Sequence, residues 1–240
     1  MTPIRHCVFG AAVLVTVCTM DAAAQSECSD RTVAALPLVE RPATSDTNNT
    51  LVLLLTGDGG WAAADEKVTT KLRARGAAVL GVKMNSYLGK QRTPEAVAVD
   101  MACVTRTYLT RWHRARVLVI GYSRGADIAP FVVSRWPNDL RDRLNMVALI
   151  SLGSRANFHF HLIDIVKDVR RDDDVAVAPE LAKLRGLRLV CIYGTDESDS
   201  GCRGADTTLV TPYERTGGHR LTSGFEAIAG ILEQGLRPPQ

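Results

Sequence analysis

Apolar residues along this chain fall into short, separated runs rather than one long stretch. Leu51–Leu55 is a continuous apolar run, and Ala77–Val82, Arg116–Gly121, Met146–Leu152, Leu187–Tyr193 and Leu209–Tyr213 behave alike. Such runs predict strands buried on both faces, as in a parallel sheet. Val33–Val39 reads as an edge strand, and the alternation of Phe158, Phe160 and Leu162 with His159 and His161 reads as another. Between the runs lie helical stretches: one ending at Arg75 before Gly76, one opening at Thr93-Pro94-Glu95 and running to about Trp112, one from Ala126 to about Trp136, and one over Leu221–Leu236. Proline suits a first helical turn and glycine a helix end. Strands alternating with helices predict an α/β fold with a mostly parallel central sheet and right-handed crossovers. Residues 50–240 read as one domain, with 25–49 as an N-terminal segment and no large lid domain.

On such a sheet, ligands bind beyond the carboxyl ends of the strands. Three loops matter most by that rule, those after Leu55, Ile120 and Tyr193. The loop after Ile120 reads Gly121-Tyr122-Ser123-Arg124-Gly125, a serine with glycines two residues either side, set between strand and helix. That is the context of a nucleophile elbow. The turn is sharp enough that a Cβ at either glycine would clash, and Ser123 is expected to hold a strained backbone.

A serine nucleophile needs a histidine, an acid and an oxyanion hole. His219, in Thr216-Gly217-Gly218-His219, follows the last strand; His113, His159 and His161 compete but are placed earlier. The acid is expected in Gly194-Thr195-Asp196-Glu197-Ser198-Asp199. Three residues past the glycine selects Glu197, with Asp199 and Asp196 as alternatives. The order serine, acid, histidine is that of α/β-hydrolases. The oxyanion hole is expected from the backbone N–H of Arg124 and of the Gly57–Trp61 loop, Gly59 and Gly60 in particular. Asp58 would repel an oxyanion, so a basic partner or a helix cap is its expected role. Asp127, in the first turn of the elbow helix, complements the helix dipole. Either aspartate could instead hold a cationic amine. Asp58, Trp61, Tyr122, Asp127 and Arg92 are the candidate substrate contacts, with Arg92, Arg124 and Lys90 available for a phosphate.

Composition narrows the setting. The chain has 240 residues, 46% hydrophobic and 23% charged, with a net charge of +3. This fits one globular domain, and the charge is too small to argue for nucleic acid. Arg5 and His6, the apolar Val8–Val17 and Ala22-Ala23-Ala24 predict a secretory signal cleaved near Ala24. Cys28, Cys103, Cys191 and Cys202 then remain, which favours Cys191–Cys202 as a staple and leaves Cys28 with Cys103. There is no CxxC and the histidines are scattered, so no metal is expected, and no cofactor is called for.

The motifs Gly57-Asp58-Gly59-Gly60-Trp61, Arg92-Thr93-Pro94, Gly121 to Asp127, Cys191-Ile192-Tyr193-Gly194 with Cys202, and Gly217-Gly218-His219, in this order, resemble the VirJ/AcvB family of exported bacterial proteins in its short, VirJ-like form. Arg124 stands where Phe is usual there, and Arg220 where a second histidine is usual. The resemblance implies an α/β-hydrolase fold and a periplasmic location. It further implies hydrolysis of aminoacylated phosphatidylglycerol, as in AcvB-like members, or association with type IV secretion components, as in VirJ-like members. Peripheral membrane contact would accompany a lipid substrate. The rival expectation is a non-catalytic periplasmic accessory factor.

Overall fold

A computed structural model describes residue 28 and residues 30–166, 169–220 and 225–237. The expected signal segment lies outside the described residues. A short helix α1 (Asp30–Ala34) leads to strand β1 (Leu38–Arg41), followed by β2 (Thr50–Leu55), α2 (Ala63–Ala74), β3 (Ala78–Val82), α3 (Met84–Tyr87) and α4 (Pro94–Arg111). Next come β4 (Arg116–Tyr122), α5 (Arg124–Ser134), α6 (Asn138–Arg141) and β5 (Leu144–Ile150). A two-stranded ribbon, β6 (Arg155–Ala156) and β7 (Val175–Ala176), brackets a 3₁₀ turn at Leu162–Ile165. Then follow α7 (Ala178–Ala182), β8 (Leu189–Gly194), β9 (Val210–Arg215) and α8 (Phe225–Glu233), which passes into a 3₁₀ turn at Gln234–Leu236.

Seven strands form one sheet in the order β1-β3-β2-β4-β5-β8-β9. Only the edge strand β1 runs antiparallel; every other pairing is parallel. The continuous apolar runs follow from burial on both faces. Leu51, Leu53, Val117, Val119, Val147 and Leu149 pack toward α4 and α5. Val52, Leu54, Leu118, Ile120, Met146 and Ala148 pack toward α2 and α8. The inner strands β2, β4 and β5 therefore lack a polar face, and alternation vanishes there.

Three expectations change. Val33–Val39 is not one strand: Pro37 divides it, because a helix does not continue into proline, and the pairing begins at Leu38. The loop expected over 85–92 begins inside the short helix α3. The alternating stretch 158–162 is not a strand either. Phe158 is buried and Phe160 packs on the core, but their backbone meets a loop: Arg92 N–H donates to the Phe158 carbonyl, and Phe160 N–H to that of Leu88. Both expected disulfides are formed, Cys28–Cys103 and Cys191–Cys202.

Candidate active site

The parallel strands end on one edge, and β2, β4, β5, β8 and β9 deliver their loops to it. At the end of β4, Ser123 sits at φ 51°, ψ −120°, a left-handed conformation unusual outside glycine. The flanking glycines are sterically required. A Cβ on Gly121 would meet the Gly125 carbonyl, and one on Gly125 would enter the Leu55 carbonyl of the neighbouring strand. The turn is braced by Ser123 N–H donating to the Ile150 carbonyl at 2.8 Å. The Ser123 hydroxyl thus stands at the N-terminus of α5.

His219 Nε2 lies 2.8 Å from Ser123 Oγ, and its Nδ1 lies 2.7 Å from Glu197 Oε1. Of the three acids in the loop, Glu197 is the one that reaches the imidazole. Its side chain is 5% exposed. The other carboxylate oxygen accepts the Gly194 N–H at 2.6 Å and the Ser151 hydroxyl at 3.3 Å. Burial pushes the Glu197 pKa up, but the His219 contact and these donors outweigh it and hold the carboxyl below its ordinary range. The same hydrogen bond raises His219 above the usual imidazole value, against partial burial. Asp199 lines the cleft without touching His219, and the Asp196 side chain meets the Thr195 hydroxyl instead. His113, His159 and His161 take no part; the last two pack against each other, ring centroids 4.3 Å apart.

The sequence reading missed Ser151. It ends β5 at φ 54° and donates its hydroxyl to the His219 carbonyl at 2.8 Å while also reaching Glu197. It holds the histidine loop and the acid in register. The carboxyl-end rule that selected three loops applies equally after β5, and would have pointed to it.

The backbone N–H of Arg124 has no acceptor among the described residues and is open beside Ser123. In the opposing loop, Gly60 N–H is already used by the Gly57 carbonyl at 3.0 Å, and Gly59 is exposed and off the cleft wall. Asp58 is the residue of that loop that lines the cleft, and its N–H is uncommitted among the described residues. The expectation for Gly59 and Gly60 therefore moves to Asp58.

Arg124 also does more than its backbone suggests. Its buried guanidinium pairs with Asp58, meets Asp164 at 2.7 Å and donates to the Asn157 carbonyl at 3.1 Å. Burial opposes its charge, but Asp58 and Asp164 outweigh that and hold it protonated. It is not available for a phosphate. Arg92 is withdrawn as well, pairing with Asp100 at 3.1 Å and lying over the Tyr87 ring. Trp61 fills the space above Gly81 and donates to Glu66, so it is packing. Tyr122 packs behind the site in an apolar crevice with Leu54, Val68 and Ile228, its ring centroid 6.4 Å from that of His219.

These groups surround a cleft of about 420 Å³. Asp127 lines it, half-buried, with Oδ1 accepting the Gly153 N–H at 2.7 Å. Burial pushes its pKa up to about 7. Asp127 and Asp199 have no cationic side-chain partner within ion-pair distance among the described residues, whereas the Asp58–Arg124–Asp164–Arg171 chain neutralises itself. Arg155, Arg170 and Arg220 also line the cleft.

The sheet order, the strained serine between strand and helix, and an ordered acid and histidine on later loops define an α/β-hydrolase fold. Solved structures with this fold include the thioesterase domain from the curacin biosynthetic pathway, 14% identical over 82% of this chain and 94% of that one, TM-score 0.55. Est1E from Butyrivibrio proteoclasticus is 11% identical over 82% and 90%, TM-score 0.58. A lipase-esterase related protein from Clostridium acetobutylicum ATCC 824 is 15% identical over 83% and 99%, TM-score 0.58. At such identities the likeness is one of fold. No curated protein matches the sequence. The model of the VirJ family, described as bacterial virulence protein (VirJ), matches residues 49–239, and the chain belongs to that family. Two disulfides fit an oxidising compartment, and no helix among the described residues is long and apolar enough to cross a membrane.

Proposed function

We propose that the chain is a periplasmic serine esterase, exported by its N-terminal signal, that cleaves aminoacyl esters of phosphatidylglycerol. The observation carrying this reading is the contact chain Ser123 Oγ to His219 Nε2 to Glu197, built on a strained elbow. Ser123 attacks the ester carbonyl while His219 takes its proton. The N–H groups of Arg124 and Asp58 receive the oxyanion. His219 then protonates the departing glycerol oxygen as its bond to the acyl carbon breaks, water attacks the acyl-enzyme with His219 as base, and the free amino acid leaves. Glu197 fixes the imidazole tautomer and stabilises the imidazolium throughout. Asp127 supports the aminoacyl preference, as a carboxylate in the cleft without a cationic side-chain partner. Arg155, Arg170 and Arg220 replace Arg92, Arg124 and Lys90 as the groups for the lipid phosphate.

The test is hydrolysis of lysyl-phosphatidylglycerol and of a short aryl ester by purified protein, with Ser123→Ala as control. Unchanged lysine release by Ser123→Ala would falsify the reading. Association with secretion components rests on the family alone. Failure of Ser123 to react with a fluorophosphonate, together with full biological rescue by Ser123→Ala, would favour that accessory role.

A further inference from the structure

Among the described residues five large apolar side chains are exposed, and four of them crowd into one segment: Leu162 at 79%, Ile163 at 49%, Val166 at 79% and Val175 at 39%. The described parts of this segment, 162–166 and 169–175, border the cleft, with Val166 and Arg170 in its wall. Ion pairs tie its 3₁₀ turn to the body of the domain. The Asp164 side chain, 4% exposed, meets Arg124 at 2.7 Å and Arg171 at 2.6 Å. A 3₁₀ turn has about three residues per turn, so anchoring Asp164 inward leaves Leu162 and Ile163 on its two other edges. Apolar groups gathered at a mouth and facing water are unusual without a partner.

We propose that this roof is a docking face for a phospholipid surface, which seats the open cleft against the bilayer. The proposal rests on the lipid-ester reading of the site and specifies how the substrate is reached. Two observations favour a lipid over a protein partner. Val166, exposed with the apolar tip, also stands in the cleft wall, so the tip adjoins the path of a lipid from the bilayer to Ser123. Arg155 and Arg170 are exposed beside it and lack a carboxylate partner among the described residues, which suits lipid phosphates. Asp173 and Asp174 accept hydrogen bonds from the Asn157 amide, which leaves their charges in place. Asp172 and Asp173 are both exposed on the same turn and offset the two arginines, so apolar contact supplies the attraction.

The experiment is co-sedimentation of the Ser123→Ala protein with vesicles of phosphatidylglycerol and phosphatidylcholine, compared with the same protein carrying Leu162→Asp and Ile163→Asp. Partitioning is expected to fall about tenfold or more, while the Ser123-intact double variant keeps short aryl ester turnover within about twofold. Equal partitioning of both proteins overturns the proposal. So does no vesicle binding by a protein that hydrolyses the lipid in detergent micelles, a result that leaves the esterase reading standing. Vesicle binding lost with the two substitutions, in a protein that cleaves no lipid ester, supports the docking face and removes the proposed substrate. Should the double variant lose its cooperative melt, Leu162→Asn alone serves, with the same opposed outcomes.

Discussion

Asp127→Asn removes a charge from the cleft while keeping an acceptor for the Gly153 N–H. The carboxyl is pushed from 3.8 to about 7, first by burial, with the Gly153 N–H, Arg124 and His219 opposing. A carboxyl whose folded pKa lies above its unfolded value is held protonated by the fold. The unfolded chain releases that proton at lower pH, so this group lowers stability progressively as pH rises from the unfolded value to the folded one. The full displacement corresponds to ~4 kcal/mol. Water in the open cleft screens the group, so a gain of ~2 kcal/mol is expected for Asn at about pH 8, with no gain at about pH 4. For a domain of this size that is a rise in Tm of about 4–8 °C. Urea unfolding of both proteins at the two pH values measures it. If the carboxylate holds the substrate amine, the stabilised variant should also lose about tenfold or more in kcat/KM for an α-amino ester relative to its deaminated analogue. A stability change of equal size at both pH values, or a loss at the higher one, would refute the assignment of strain to the buried charge.

Glu197→Gln should lower kcat by about 10³–10⁴-fold, whereas Asp199→Asn should stay within about threefold. The hydrogen bond from Glu197 raises His219, which must be neutral to act as base, so activity should fall with decreasing pH through a value above 6.5, and that limb should move down in the Gln variant. Ser151→Ala frees the His219 carbonyl and one Glu197 donor; kcat should drop about tenfold with KM nearly unchanged, read by steady-state kinetics on an aryl ester. Gly125→Ala drives a Cβ into the Leu55 carbonyl and should destabilise by at least ~3 kcal/mol, seen as loss of soluble protein or of the cooperative melt. Cys191 and Cys202 enclose the loop that carries Glu197, eleven residues apart, so Cys202→Ser should cost ~3 kcal/mol in urea unfolding and lower kcat as the acid loses its tether.

The legible parts of the site were those written in local chemistry. Gly121 and Gly125 announce the elbow because no other residue fits there, and the apolar run before them marks the strand. Glu197 stood among three acids because spacing constrains the loop's length and not its fold; the Gly194 and Ser151 donors that bury one acid come from other parts of the chain. Ser151 looked like the tail of an apolar strand, and nothing local marks a positive φ. Arg92 carries no local mark of its partner, because it lies in the loop before α4 while Asp100 lies within that helix, eight residues on. The described residues of the roof, 155–166 and 169–176, leave no local signal for a plainer reason: ion pairs and an Asn157 amide, which have no period, tie them together.

Arg124 joins the elbow to the β2 loop and the roof. Its backbone follows Ser123, so its N–H can serve as the proposed oxyanion donor whatever its side chain. Its side chain reaches Asp58 on the β2 loop and Asp164 on the roof, two acids whose charges would otherwise face each other across the cleft. Burying either without a cation would cost several kcal/mol, so neither acid is tolerable alone. A phenylalanine at this position would keep the N–H but could not answer the carboxylates. The arginine, Asp58 and Asp164 therefore stand or fall as one unit, with Arg171 completing it from the far side at 2.6 Å. Arg124 is thus matched by its surroundings, and one residue links the serine's turn, the β2 loop and the roof.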